Sequence, residues 1–421
     1  MSGKFNGTQA LIASQQPLAI YVHCLMHAGN LVAQEAIESS GVVQDAASLT
    51  NEVAATCNRS TKLTAILRGI QSQKHDRASL RPLCPTRVLV RGAALKTILD
   101  QHESLSDALS DYADASTGEP ASKARGLQKQ IKEAEFVLGL KMALPAINLL
   151  ESLNRAMQSR SYTISNAVAA MKITYEGLSG MRSEETFHDL FNACIERCEE
   201  LDLEAPKLPR VHRRPRRFET GDAPDHVFET AEEHYRVQYM KFIDTAMAAL
   251  KRRYDQPGIQ MYLKLEDVIL RSCNPSQPAI SVSCVVDVVK QYPELDGSML
   301  HTQLAMVRQL MMSDTEANPF TLDTIISEIV SMEPVVRQLF NQVDTFLRLL
   351  LTIPCSSAEA ESSFSGLRRL KTYLRNSMAQ ARLNHLAVLH VHQDMTDGID
   401  IEAIAKDFVL KCDSRKVTFG F

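Results

Sequence analysis

Residues 347–391 read LRLLLTIPCSSAEAESSFSGLRRLKTYLRNSMAQARLNHLAVLHV: the end of an apolar helix, a break at Pro354, and two further helices. Ser356 precedes Glu359 by three residues, the capping-box spacing in which a hydroxyl takes a backbone N–H that the first helical turn leaves unpaired. A helix is expected to start there. Ala360, Phe364, Leu367 and Leu370 recur at three- and four-residue steps and predict one buried face, with Glu361, Ser365 and Arg368 on the adjacent one. Ser377, with Gln380 three residues on, repeats the start signal. It introduces Leu383, Leu386, Ala387, Leu389 and Val391, an apolar surface too wide for one neighbour to cover. Such a helix needs a partner.

Working outward, the chain has 421 residues, 45% hydrophobic and 23% charged, the profile of a globular protein of two or three domains. With 46 basic against 50 acidic side chains the net charge is −4, so nucleic-acid binding would have to rest on a local patch. Nine cysteines without regular spacing do not form a disulfide pattern. The sequence offers no unbroken apolar run of the roughly 18 residues needed to cross a bilayer, and no membrane partner is expected.

Helical periodicity runs through most of the chain. Phe136, Leu140, Leu144 and Ile147 carry it, as do Val168, Met171, Tyr175 and Leu178, and then Tyr235, Tyr239, Phe242, Ile243, Met247 and Leu250. The last set reads as core and not as a stacking platform. Before it, a short helix is predicted over residues 7–14, a strand over Leu18–His23 after Pro17, and a longer helix from about Cys24. Cys194 and Cys198 sit one helical turn apart with no second pair facing them, and are read as buried neutral thiols.

Lys207–Phe218, KLPRVHRRPRRF, is the sharpest change of composition in the chain. Arg210, Arg213, Arg214, Arg216 and Arg217 stand around two prolines, a pattern of nuclear import signals, of phosphate contacts or of a solvated loop. Nuclear localisation is expected mainly from this run. His390, His392 and Asp394 offer too few ligands for a zinc site and fit histidines beside the unpaired carbonyls of a helix end.

The stretch TIPCSSAEAESSFSGLRRLKTYLRNSM, residues 352–378, followed by RLNHLAVL, resembles the C-terminal signature of hAT-superfamily transposases and their domesticated relatives. The resemblance implies that this segment completes a ribonuclease-H-like unit and then forms a dimerisation surface, here through Phe364, Leu367, Leu383, Leu386 and Leu389. It places the family's third metal-binding carboxylate on Glu361, although Ser362 stands where arginine is common. Met1–Gly7 resembles the family's stretch just past the second catalytic aspartate. Cys24 and His27 match its Cys-x-x-His, with Ala28 and Gly29 in place of Arg and Leu. Cys84, Thr86 and Arg87 match its Cys-x-Thr-Arg-Trp, except that Val88 replaces the tryptophan, and valine has no aromatic face on which a base can stack. Lys207–Phe218 coincides with a Pro-Arg-rich linker of the vertebrate zinc-finger-type relatives.

The resulting expectation is a mainly α chain: an incomplete ribonuclease-H-like α/β unit interrupted by a large helical insertion domain. Residues 1–45 would be the partial ribonuclease-H-like segment and 46–330 the insertion with its basic linker 207–218. Residues 331–410 would hold the final ribonuclease-H-like helix and the dimerisation region. Two-metal phosphoryl chemistry needs carboxylates converging on two cations about 4 Å apart, and Glu361 alone, a vestigial third carboxylate, cannot supply that. The expected function is therefore a domesticated or degraded hAT-like protein that dimerises and does no catalysis. The alternatives are a fragment of a longer transposase and a nuclear nucleic-acid-binding scaffold using Arg87 and Arg210–Arg217. Partners would be a second copy or related hAT proteins, with DNA possible and no small-molecule substrate. No cofactor and no metal site are expected in the chain itself, a divalent ion such as Mg entering only if carboxylates are supplied upstream. A strand over Leu18–His23 without neighbours would also leave ladder groups open to aggregation, which predicts poor solubility.

Overall fold

The structure is a computed structural model describing residues 7–73, 80, 90–158, 163–209, 228–278, 282–312, 320–353, 358–371 and 377–420. In the helices that begin at residues 282 and 358, side chains are described from residues 285 and 364 onward. The chain divides into two units, Met1–Ser356 and Ser357–Phe421.

The first unit is built of helices. They are α1 (Thr8–Gln15), α2 (Leu25–Ser39), α3 (Gly41–Arg59), α4 (Thr61–Gln73), α5 (Arg91–Asp100), α6 (His102–Asp114), α7 (Glu119–Ile131), α8 (Ala134–Ala156), α9 (Ile164–Met181) and α10 (Glu184–Glu200). Next come α11 (Ala231–Tyr254), α12 (Pro257–Cys273), α13 (Val282–Gln291), α14 (Gly297–Met311), α15 (Leu322–Ser331), α16 (Pro334–Arg337) and α17 (Asn341–Leu351), with a 3-10 turn at Gln338–Phe340. Local chemistry sets many of the starts. Thr163, Ser183, Thr230 and Asp296 each accept backbone N–H groups of the following turn, and Thr321 with Thr324 forms a capping box. Pro257 and Pro334 open α12 and α16 at the first helical position, where no N–H is required.

At the centre lies α8, packed by α3, α5, α9 and α10. It is long and apolar enough to cross a membrane by length and composition, but Phe136, Val137, Leu138, Leu140, Ala146, Ile147 and Leu150 are buried in this body. A helix that is apolar all round and surrounded by other helices is a core helix. Beside it α11 lies along α2, with Tyr235, Tyr239, Phe242, Ile243 and Leu250 buried as their spacing predicts. Three of its tyrosines keep a polar tip satisfied inside the core: Tyr235 donates to the carbonyl of Lys207 at 3.1 Å, Tyr239 to that of Met181 at 2.9 Å and Tyr254 to that of Leu25 at 3.3 Å. Left unpaired, each buried hydroxyl would cost roughly 1–3 kcal/mol.

Among the described residues no strand forms, so the mainly α expectation holds and the strand over Leu18–His23 does not. A strand needs a neighbouring ladder, and this segment is instead held by side chains. The His23 N–H donates to Gln256 Oε1 at 3.0 Å, and Gln291 Nε2 donates to the Leu18 carbonyl at 2.5 Å. Gly258, in the first turn of α12, leaves room for it, since a Cβ there would stand 2.0 Å from the Tyr21 carbonyl oxygen. The helix ahead of it matches expectation within a residue, as does the one from Leu25.

The second unit contains α18 (Ala358–Leu370), α19 (Gln380–Val391), α20 (Gln393–Asp397), α21 (Ile401–Leu410) and α22 (Asp413–Phe419).

Candidate assembly surface

Within the second unit α18 packs on α19. Their closest approach uses a glycine: a Cβ on Gly366 would lie 2.7 Å from the ring of His390. His390, expected beside helix-end carbonyls, thus packs across the pair. The start of α19 also differs from expectation. Ser377 is an exposed turn residue, Ala379 occupies the N-cap without a side-chain bond, and Gln380 is the first helical residue, not the third. Ser356 lies outside the described residues.

Of the candidate dimerisation residues, Leu383 is only 7% exposed and belongs to the interior of the unit, while Leu367 and Leu386 are half-buried. Leu389 is 44% exposed and stands with Val388 and Val391 on an open part of α19. Phe364 is 68% exposed, so the face expected to be buried on α18 is open at its phenylalanine. The reason is that α19 meets α18 at Gly366, two residues on, and Phe364 falls to the side of that contact. The width read from the sequence shows in these exposures: Leu383 is buried, Leu386 and Ala387 are half-buried, and Leu389 and Val391 stay exposed.

Further along, Met395, Ile401, Ile404, Phe408, Leu410, Val417 and Phe419 are also exposed, and Val409 is the buried residue of α21. None was singled out from sequence, although Ile401, Ile404 and Phe408 carry the helical spacing that would have marked them. Monomers rarely expose contiguous apolar surface beyond a few hundred Å², and larger patches mark interaction sites.

The remaining candidates are scattered. Glu361 lies in the backbone of α18, its side chain outside the described residues. Arg87, Arg210, Arg213, Arg214, Arg216 and Arg217 lie outside them too, as does Val88. Cys24 caps α2 with its backbone, and the rings of His23 and His27 stand 5.4 Å apart, burial and His27 together pulling the His23 pKa down. Cys194 and Cys198 are buried with Sγ atoms 4.0 Å apart, and the hydrogen bond between them together with burial raises the Cys194 thiol, keeping it neutral as expected. Among the described residues no three His, Cys, Asp or Glu side chains converge as a metal-binding group.

Residues 315–395 match the hAT family C-terminal dimerisation region. The chain is also similar to the "52 kDa repressor of the inhibitor of the protein kinase" of Mus musculus and of Homo sapiens, 21% identical in each case over 95% of this chain and 53% of the relative. It thus spans about half the length of the curated relatives it matches.

Proposed function

From the premise that this chain carries an hAT-type C-terminal dimerisation region, we propose that it is a transposase-derived assembly protein. Its second unit pairs with a second copy or with a related hAT protein through the open apolar side chains of α18 and α19. Phe364, Leu386 and Leu389, with Val388 and Val391, form the contact, and Leu383 supports it from inside the unit. One observation carries the reading: the helices matched by the dimerisation region keep phenylalanine, leucine and valine in solvent. At about 25 cal/mol per Å² of apolar area removed from water, a few such side chains supply several kcal/mol to association.

We assign the chain no catalytic step. In this reading Glu361 marks the position of a third carboxylate in an ancestral ribonuclease-H-like unit whose last helix is α18, and Val88 removes the stacking face that hairpin chemistry needs. Cofactor and metal play no part in it, and the protein acts in the nucleus, where the arginine run takes it.

Sedimentation equilibrium of the full chain tests the reading. Leu386→Asp with Leu389→Asp is expected to convert a dimer to a monomer while the helical content stays the same. A dimer that persists in the variant, or a wild-type chain that is monomeric at tens of micromolar, overturns it. The composition of residues 207–218 also favours a phosphate contact by Arg210–Arg217. DNA binding that weakens steeply with salt, and is lost when those arginines become serine, supports it, and binding indifferent to the change removes it.

A further inference from the structure

Exposed apolar side chains continue along the sequence past residue 395, where the dimerisation region ends. On α21, Ile401, Ile404, Ala405 and Phe408 follow the steps of three and four that place side chains on one helix face, and all are exposed, Ile401 at 78%. Beside this stripe, one turn on from Ala405, Val409 is buried, and α22 packs on α21. Arg415 of α22 reaches round, its guanidinium 3.8 Å from the centre of the Phe408 ring and donating to the Phe408 carbonyl at 3.0 Å, which holds that ring in place. Beyond it Val417 is 85% exposed and Phe419 is exposed as well.

Charge is divided along the same stretch. Between residues 393 and 402 stand Asp394, Asp397, Asp400 and Glu402 with no basic residue. Between 403 and 420 stand Lys406, Lys411, Arg415 and Lys416 against Asp407 and Asp413. The first part is four charges negative and the second two positive.

A helix of ten residues is about 15 Å long, and a stable interface needs roughly 800 Å² from each partner, more than this stripe holds alone. The stripe is adequate only as the extension of a larger contact, and the sequence carries it on directly from the open residues of α19 through Met395.

We propose that α21 and α22 extend the dimer contact beyond the matched region by pairing with the same helices of a second copy, antiparallel about a twofold axis. The proposal rests on the dimerisation reading above and adds its register and its partner. With the axis passing between Ile404 and Ala405, Ile401 of one copy meets Phe408 of the other. The acidic end 394–402 then lies along the basic end 406–416, whereas a parallel arrangement would set like charges together. An isologous contact of this kind excludes a differently charged partner and closes at two chains.

The test uses the full chain in sedimentation equilibrium, with circular dichroism to confirm unchanged helicity. Ile404→Ser with Phe408→Ser is expected to weaken dimerisation by about tenfold or more. Asp394→Lys, Asp397→Lys and Glu402→Lys together weaken it severalfold. Adding Lys406→Glu, Lys411→Glu and Lys416→Glu to that chain restores it, because each reversed end again meets its opposite in the second copy. A dissociation constant unchanged by Ile404→Ser with Phe408→Ser overturns the proposal, the stripe then being covered by something other than a second copy. A charge-reversed chain that stays weak after the second set overturns the antiparallel pairing. If Leu386→Asp with Leu389→Asp separates the copies while the α21 variants do not, the dimerisation reading stands and this extension falls. If neither set changes the association, both fall.

Discussion

Unit 1 and unit 2 use the same kinds of residue to opposite ends. In the first, Phe187, Phe242, Phe346, Tyr239 and Tyr254 are within 1% of complete burial, and the tyrosine tips are bonded to named carbonyls. In the second, Phe364, Phe408 and Phe419 stand in solvent, and Leu383 and Val409 are the buried large apolar residues described there. If the second unit assembles as proposed, fold and assembly are separable along this chain, and substitutions should divide accordingly.

The largest effect expected is on that division. Phe242→Ala should cost the body about 3–5 kcal/mol in chemical denaturation, and Phe408→Ala under about 1 kcal/mol in the dissociated chain, because only the first leaves a cavity. Equal losses would break the comparison. Next comes a pH effect confined to the body. Glu266 of α12 is buried with Ser165 of α9 as its partner, and burial pushes its carboxyl up to about 7 from an ordinary 4.5. The folded state therefore favours the neutral acid. The contribution is fully present below about 4.5 and is lost as pH rises through about 7, on the order of 3–4 kcal/mol at about 1.4 kcal/mol per unit. Glu266→Gln should flatten that slope between pH 4.5 and 7, and an unchanged slope in thermal melts would place the titration elsewhere.

Two smaller changes sharpen the contrast. Gly139 of α8 faces α3, where a Cβ would stand 2.5 Å from the Val42 carbonyl oxygen and 2.6 Å from the Ala46 Cβ, so Gly139→Ala should destabilise by about 1–3 kcal/mol through overpacking. Glu151 accepts the N–H groups of Arg91 at 2.7 Å and Gly92 at 2.9 Å, which begins α5 directly after the stretch holding Arg87. Glu151→Ala leaves those donors unpaired inside the body, and a loss of about 1–2 kcal/mol is expected in denaturant titration. Neither change should alter the association of unit 2.

Much of the body is legible in the sequence, because apolar spacing and proline breaks are local signals. The buried face of α11 follows from Tyr235, Tyr239 and Phe242, and the break after Tyr254 from Pro257. The strand expected over Leu18–His23 does not form because strand formation depends on a neighbour, and the residues that hold the segment, Gln256 and Gln291, lie more than two hundred positions away. Phe364 is open for a similar reason: spacing marks a face as apolar but does not say whether a helix lies over it, and the contact with α19 falls at Gly366, two residues on. The width of α19 is readable, since six apolar positions in nine exceed one neighbour's reach. The stripe of α21 has the same signal and lies beyond Val391. The arginine run and Val88 remain statements about sequence, their positions lying outside the described residues.

Amide hydrogen exchange of the full chain at rising protein concentration tests most directly whether the body stands alone while the tail assembles. Exchange in Gln380–Val391 should slow severalfold as the concentration passes the dimerisation constant, while the amides of α8 and α11 keep the same rates throughout. Protection of 380–391 that does not depend on concentration, or a concentration-dependent change centred on α8 and α11, would contradict it.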